Sequence, residues 1–227
     1  MATALIMYHC SVFIWYFFLT YTIFTVSAKE TPDGVFVYGG QWKYLTVLNV
    51  VLQTLFYAVT FLTDLLLPIR GIKLVQCVIY CRDLLFSVLA FPAATFVFLS
   101  FWALYSYDRQ LVYPEGLDAI IPQWLNHGMH TAVFPIAVLE IVTSPHRYPP
   151  KKKGLLFLGI CSVSYISWVI WIYLTDGNWV YPFLGLLTPF GFTIFFLSSH
   201  ILVSCVYIVG ETFNNLLWDA QMKKMKI

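Results

Sequence analysis

Six apolar stretches, each about as long as a membrane-crossing helix, make up most of this 227-residue chain. A helix needs about 20 mostly apolar residues to cross the hydrocarbon core of a bilayer. The chain is also poor in charge, with 11% charged residues, against roughly a quarter in soluble domains. We therefore predict an all-α, polytopic integral membrane protein of one domain, residues 1–227, with six transmembrane helices. The predicted spans are approximately 5–26, 44–67, 84–107, 122–142, 154–174 and 190–210.

The same features exclude several classes of function. A net charge of +2 argues against a nucleic-acid binder, because phosphate neutralisation needs clustered Lys and Arg. The sequence contains no G-x-S-x-G nucleophile elbow, no phosphate-binding loop and no H-E-x-x-H zinc helix. The cysteines are odd in number, which argues against a disulfide framework. Cys77 and Cys81 are interpreted as free thiols or as sites of S-palmitoylation, and no metal or other cofactor is predicted.

The basic residues predict the orientation, because Lys and Arg favour the cytoplasmic side in short loops. With six spans, ten basic residues lie on the side of both termini, and three lie on the other. The N- and C-termini are therefore predicted to be cytoplasmic. The ten are Arg70, Lys73, Arg82, Arg147, Lys151, Lys152, Lys153, Lys223, Lys224 and Lys226, and the three are Lys29, Lys43 and Arg109.

The first span leaves one alternative open. Val26-Ser27-Ala28 resembles a signal-peptidase site, and cleavage there would leave five spans. Against cleavage, no basic residue precedes Lys29, and the apolar run is longer than the usual signal core. The orientation of the other five spans is the same in either case.

A row of polar residues follows one face of the second span. Trp42, Thr46, Asn49 and Gln53 recur at spacings of four, three and four, which places them on one side of a 3.6-residue helix. Polar groups inside a membrane are costly and mark functional positions by default. Thr, Asn and Gln also join neighbouring helices by hydrogen bonds. The spacing alone leaves both interpretations open.

The fourth span enters from the same side and carries two histidines. Asn126 and His127 precede His130 by four and three residues, so all three face roughly one side of the helix. Pro135 removes one backbone hydrogen bond, which predicts a kink about one turn past His130. His130 then lies at a depth similar to that of Thr46. Histidine can act as a general base near neutral pH, and a hydrogen-bonded structural role is the alternative.

The remaining intramembrane polar residues are interpreted as structural. The sixth span has a second polar face, which we assign to helix packing. Three acidic residues lie near the cytoplasmic half, too far along their helices to orient His130, and are expected to be solvated or paired at the interface. The polar face consists of His200, Ser204, Tyr207 and Glu211, and the acidic residues are Asp64, Asp83 and Glu140.

Four motifs resemble those of the androgen-induced-gene family of membrane hydrolases. They are W-K-Y-L-T-x-L-N at 42–49, R-D-L-L-F at 82–86, I-P-x-W-L-N-H-x-M-H-T at 121–131 and W-V-Y-P-F at 179–183. The resemblance extends over nearly the whole chain, and the motifs are too long to arise by chance. It implies six spans and the hydrolysis of fatty acid esters of hydroxy fatty acids.

The resemblance also implies a catalytic pair. The family's intramembrane threonine matches Thr46, as the nucleophile, and its histidine matches His130, as the general base. It implies a lipid substrate, no cofactor, and a multi-pass protein among the lipids of the cell membrane or the endoplasmic reticulum. The oligomeric state stays open.

Other roles in such a site are open as well. His130 needs an orienting group, for which the candidates are Asn126 and the loop carboxylates Asp118 and Asp176. The candidates for an oxyanion donor are Asn49, Trp42 and a backbone amide near Pro122. Lys43 and Arg109 are the candidates for binding the substrate's carboxylate. Taken together, the predicted substrate-binding residues are Trp42, Lys43, Asn49, Arg109, Asn126 and His127.

Two other classes of function remain as alternatives. A non-catalytic, lipid-binding receptor or scaffold that regulates partner proteins would tolerate the loss of His130. A haem protein or a proton-coupled transport protein would use His127, His130 and His200.

Overall fold

The computed structural model describes residues 2–29, 39–67 and 73–225, and within these ranges all long elements are helices. The all-α prediction is therefore confirmed. Eight α-helices follow in chain order: α1 (Ala2–Lys29), α2 (Leu45–Leu66), α3 (Lys73–Leu84), α4 (Phe91–Tyr107), α5 (Gln123–His130), α6 (Val133–Thr143), α7 (Lys151–Asp176) and α8 (Pro189–Met225). A π-helical segment, Leu85–Ala90, joins α3 to α4, and short 3-10 helices occupy Gly40–Lys43, Arg109–Leu111, Glu115–Ala119 and Pro182–Leu186.

Five helices in the described ranges are long and apolar enough to cross a membrane, so the chain is a multi-pass membrane protein. They cover Thr3–Val26, Leu45–Leu66, Lys73–Tyr107, Lys151–Asp176 and Pro189–Ala220. The third begins well before the predicted residue 84, because the polar segment of α3 continues through the π-helical segment into α4 without a break. The last continues past residue 210, since its polar extension packs on the end of α6 and on the chain that follows it.

The predicted fourth span, 122–142, is divided into two short helices. The backbone amides of Thr131 and Ala132 both donate to the carbonyl of His127, at 2.9 Å each, and α6 starts only at Val133. The break lies directly after His130, slightly earlier than the predicted kink. Pro135 explains why it can persist, because a proline has no amide to donate to the preceding turn. Neither α5 nor α6 is long enough to cross a bilayer alone.

The main core lies where α1 packs along α2 and where α5 approaches them both. Gly128 allows this approach, because a Cβ atom at that position would lie 2.8 Å from Cδ2 of Leu19. Leu125 and Met129 of α5 are buried in the same cluster. The last turn of α5 is thereby held against the first turn of α2.

At the opposite end of α2, the three acidic side chains expected at the interface are paired, and they are buried rather than solvated. Oδ2 of Asp64 lies 2.6 Å from Nδ1 of His9, and Oε2 of Glu140 lies 3.3 Å from Nε2 of the same ring. His146 then connects Glu140, at 3.2 Å, with Asp83, at 3.3 Å. This cluster, which we call the buried ion network, ties α1, α2, α3 and α6 together.

Several residues used in the sequence predictions lie outside the described residues. They are Arg70, Lys226 and the side chains of Ser27, Ala28, Lys29, Lys223 and Lys224. The backbone of α1 continues without interruption through the predicted cleavage motif at 26–28.

Candidate active site

Thr46 and His130 meet across two helices. Oγ1 of Thr46, in the first turn of α2, lies 3.1 Å from Nε2 of His130, the last residue of α5. The buried imidazole is 5% exposed. A hydroxyl hydrogen-bonded to an imidazole is the minimal arrangement that activates an alcohol as a nucleophile.

Asn126 fixes the orientation and the tautomer of His130. Nδ1 of the ring lies 2.8 Å from the side-chain oxygen of Asn126 and 3.1 Å from its main-chain oxygen. Both atoms accept hydrogen bonds, so Nδ1 carries the proton and Nε2 presents a lone pair to Thr46. Phe101 stacks on the imidazole with a centroid separation of 3.5 Å and an interplanar angle of 11°, which holds the plane of the ring.

A cavity of about 420 Å³ opens beside this pair. Thr46 and His130 line it, and most of its other lining side chains are apolar residues of α2, α4, α7 and α8. Large, mainly apolar cavities with a few convergent polar groups are the usual form of a small-molecule site. We call it the Thr46 cavity.

Two tyrosines that sequence reasoning did not single out stand beside Thr46. The hydroxyl of Tyr181 accepts from the amide of Leu45 at 3.0 Å and lies 3.0 Å from the hydroxyl of Tyr165, which donates to the carbonyl of Lys43 at 3.1 Å. Both rings line the cavity. Tyr181 lies within the W-V-Y-P-F motif, which was the only signal in the sequence that pointed to it.

The structure separates His127 from the pair. His127 is exposed, its Nδ1 lies 2.9 Å from Oγ1 of Thr131, and its ring stacks on Trp102. It lines a second cavity of about 510 Å³, together with Arg109 and Asn126. This second cavity, which we call the polar cavity, shares Tyr113 and Ile121 with the lining of the Thr46 cavity.

The loop carboxylates considered as orienting groups for His130 lie elsewhere. Asp118 binds Arg109 at 2.7 Å, and this hydrogen bond raises the pKa of the guanidinium. The side chain of Asp176 accepts a hydrogen bond from Asn178 at 3.3 Å. Of the candidates for orienting His130, only Asn126 is placed against it.

The other predicted binding residues surround Thr46 without lining its cavity. Trp42 is 46% exposed and packs on Phe24. Lys43 is buried, and this burial lowers the pKa of its amine. The buried side-chain oxygen of Asn49 accepts from Gln53 at 3.1 Å, and its amide nitrogen has no acceptor among the described residues.

The polar face predicted on the sixth span divides into two parts. Glu211 binds Lys151 at 3.3 Å, and buried Tyr207 packs against Tyr148, so these two residues serve packing as predicted. His200 packs near Gly159 of α7 and also lines the Thr46 cavity together with Ser199, which the sequence interpretation did not foresee.

A second hydroxyl–imidazole–carboxylate arrangement belongs to the buried ion network. Oγ of Ser144 lies 3.2 Å from Nε2 of His9, whose Nδ1 contacts Asp64. Glu140 shares the same Nε2 atom, and all these groups are enclosed. Neither of the two cavities described above reaches Ser144, so we assign it a structural role.

The histidines considered for haem do not converge. His127 lines the polar cavity, whereas His130 and His200 line the Thr46 cavity. Within the described ranges, no three His, Cys, Asp or Glu side chains are grouped to hold a metal ion. The five cysteines are unbridged, with Cys77 and Cys81 exposed on α3.

Comparisons with known proteins identify relatives along almost the whole chain. The family model for FAR-17a/AIG1-like proteins matches residues 4–215. The androgen-dependent TFPI-regulating protein of Rattus norvegicus is 47% identical over 221 residues, which are 97% of this chain and 96% of the relative. The Homo sapiens protein of that name is 45% identical over 99% of this chain and 97% of its own length.

A second relative has a different name. The androgen-induced gene 1 protein of Homo sapiens is 44% identical over 202 residues, which are 86% of this chain and 84% of that protein. No solved structure matches the chain significantly.

Proposed function

The chain belongs to the FAR-17a/AIG1-like family of membrane proteins, and we propose that it is an intramembrane hydrolase of fatty acid esters of hydroxy fatty acids. The observation that carries the proposal is the 3.1 Å contact between Oγ1 of Thr46 and Nε2 of His130 inside an apolar cavity. Thr46 is the nucleophile, and His130 is the general base.

The first half of the reaction transfers the acyl group to the protein. Oγ1 of Thr46 attacks the ester carbonyl while Nε2 of His130 takes the hydroxyl proton. The tetrahedral intermediate then expels the alkoxide of the hydroxy fatty acid, which receives that proton from His130. The products of this half are the free hydroxy fatty acid and an acyl ester on Thr46.

The second half uses water. His130 removes a proton from a water molecule, the hydroxide attacks the acyl ester, and Oγ1 of Thr46 leaves and recovers the proton. Asn126 acts through His130 in both halves, since its oxygens keep the proton on Nδ1. It is a positioning residue.

The start of α2 supplies a site for the developing oxyanion. Thr46 lies in the first turn of a 22-residue helix, and its own backbone N–H has no acceptor among the described residues. Unpaired amides and the helix dipole both favour negative charge at this end of a helix. We therefore propose the backbone amide of Thr46 as an oxyanion donor. The side-chain amide of Asn49, which has no acceptor among the described residues, stays a second candidate.

A lipid hydrolase needs an apolar site for acyl chains and a route for water, and we assign one of the two cavities to each. The apolar walls of the Thr46 cavity suit acyl chains. We propose that water reaches His130 from the polar cavity, whose lining includes Asn126 and which shares the wall residues Tyr113 and Ile121 with the Thr46 cavity. His127 and Arg109 lie on this water route.

We also propose the six-span topology with both termini in the cytoplasm. Residues 123–143 of α5 and α6 together extend about 30 Å at 1.5 Å per residue, the thickness of the hydrocarbon core, so the broken pair makes one crossing. This places Thr46 and His130 at the non-cytoplasmic side of the cell membrane or the endoplasmic reticulum.

A lipid-binding regulator is the second candidate function. The Rattus norvegicus and Homo sapiens relatives are both named androgen-dependent TFPI-regulating protein, a name that describes regulation rather than catalysis. A regulator would use the Thr46 cavity for lipid and would need no reaction at Thr46.

Ester hydrolysis by the purified protein in detergent distinguishes the two. We expect turnover by the wild type, and its loss in Thr46→Ala and in His130→Ala. The matched control is Thr54→Ala, which removes the same hydroxyl from α2 at a position where it bonds Thr20 and backbone oxygens. Turnover that survives both active-site substitutions would contradict the proposal.

A further inference from the structure

Two polar side chains of α8 line the Thr46 cavity without hydrogen-bond partners. They are Ser199 and His200, and neither forms a hydrogen bond with any described residue. Other serines in the cavity wall differ, because Ser100 and Ser162 donate to the backbone of their own helices, at 2.7 and 2.8 Å. On α8 the unmet hydrogen-bonding capacity of the cavity wall therefore lies at Ser199 and His200. The buried side-chain oxygen of Gln41, which has no donor among the described residues either, belongs to the segment before α2.

The geometry of α8 directs these groups into the cavity. Phe195, Phe196, Ser199, His200 and Val203 share the cavity face at helical spacing. The opposite face is exposed, as expected for side chains in contact with lipid, and it contains Ile194, Leu197 and Ile201. His200 also approaches Gly159 of α7, where a Cβ atom would lie 3.6 Å from Cε1 of the imidazole.

The depth of His200 follows from the helix rise. Tyr181, in the segment before α8, binds the amide of Leu45, so α8 begins near the level of Thr46. His200 lies eleven residues after Pro189, which corresponds to about 16 Å along the helix. The cavity therefore leads from the catalytic pair to an imidazole near the middle of the membrane.

We propose that Ser199 and His200 form a subsite for the carboxyl group of the substrate's hydroxy fatty acid. The inference rests on the proposed function, in which the ester lies at Thr46. The carboxyl group of such a substrate is separated from the ester by a run of methylenes. When these methylenes extend along the Thr46 cavity, the carboxyl group lies near His200.

The charge balance supports this assignment. An unpaired carboxylate is costly in an apolar, intramembrane cavity. An imidazole and a carboxyl group share one proton, so together they bring no net charge. Two basic residues were predicted to bind this carboxylate. Arg109 is already paired with Asp118 and lines the polar cavity, and Lys43 does not line the Thr46 cavity.

The test compares two esters that differ only at the carboxyl group, namely a fatty acid ester of hydroxystearic acid and its methyl ester. We expect wild-type protein to prefer the free acid in kcat/KM. His200→Leu lowers this preference about tenfold, the effect of losing a hydrogen bond to a buried polar group. The readout is the ratio of the two kcat/KM values, from which a general loss of activity cancels. His200→Asn restores part of the preference, and Ile201→Leu on the lipid face changes nothing.

A binding measurement separates this inference from the proposed function. Binding is measured in the Thr46→Ala variant, so that no hydrolysis is required. This variant and the double variant Thr46→Ala, His200→Leu are each titrated with stearic acid and with methyl stearate. We expect the acid to bind more tightly only when His200 is present. If esters are not hydrolysed but this difference holds, the proposed function fails and the subsite stands. An acid preference that is unchanged in His200→Leu, or lost in Arg109→Gln instead, overturns the subsite.

Discussion

The hydroxyl of Thr46 lies 3.1 Å from Nε2 of His130, although 84 positions separate the two residues in the chain. The contact depends on where both helices end. Thr46 lies in the first turn of α2, and His130 is the last residue of α5, directly before the backbone break. Each side chain is therefore presented at a helix terminus, where the polar groups of the backbone are also available.

Removal of the Asn126 side chain tests how His130 is oriented. In Asn126→Leu, Nδ1 keeps only the main-chain oxygen as acceptor, so we expect kcat to fall about tenfold or more, within the range of general acid–base contributions, with little change in KM. Steady-state kinetics on an ester substrate measure both constants. A rise in KM with unchanged kcat would show that Asn126 binds substrate instead.

A substitution at Gly128 tests whether α5 packs closely against α1. Gly128→Ala places a Cβ atom 2.8 Å from Leu19, and overpacking of this kind costs about 1–3 kcal/mol. We expect a lower Tm in detergent and lower activity, because α5 carries His130. In a Leu19→Ala background, Gly128→Ala should cost less than it does in the wild type, because the atom it would meet is gone. An equal cost in both backgrounds would contradict the contact.

The buried ion network should govern stability rather than chemistry. Glu140→Ala leaves His9 and His146 without a shared carboxylate, and breaking a buried ion pair costs about 3–5 kcal/mol. We expect a large fall in Tm with kcat retained in the folded fraction. Glu115→Ala in an exposed 3-10 helix is the control. A specific loss of kcat at an unchanged Tm would contradict this assignment.

The burial of Lys43 leads us to expect that the stability of the protein depends on pH. Burial lowers the pKa of its amine below the ordinary 10.5, so the folded state binds fewer protons at this position than the unfolded state. Stability should therefore rise as the pH increases toward 10.5. Thermal unfolding between neutral pH and pH 10 measures this, and Lys43→Met should flatten the rise. An equally steep rise in the variant would assign it to other groups.

The sequence located Thr46 and His130 because their signals were local. Polar residues at helical spacing in an apolar span mark a face, and the distance from the span's end gives a depth. The partners of Asp64, Asp83 and Glu140 could not be found in this way. His9 and His146 reach them only through the packing of separate elements.

Local patterns do not show how separate elements pack, and this also explains the other differences between the sequence predictions and the structure. Helical spacing placed His127 beside His130, yet its ring turns toward Trp102 and the polar cavity. The cavity beside His200 was not predicted either, because no local pattern shows that α2, α4, α7 and α8 leave a space between them. The division of the fourth span was partly predictable, since Pro135 indicated a local disruption.

Covalent labelling of Thr46 tests the central claim most directly. A lipid-like phosphonate that reacts with activated hydroxyls is incubated with purified protein, and the modified residue is identified by mass spectrometry. We predict one major adduct, on Thr46, that is abolished in Thr46→Ala and greatly reduced in His130→Ala, while Thr54→Ala is labelled like the wild type. Labelling at another residue, or wild-type labelling of Thr46→Ala, would contradict the account.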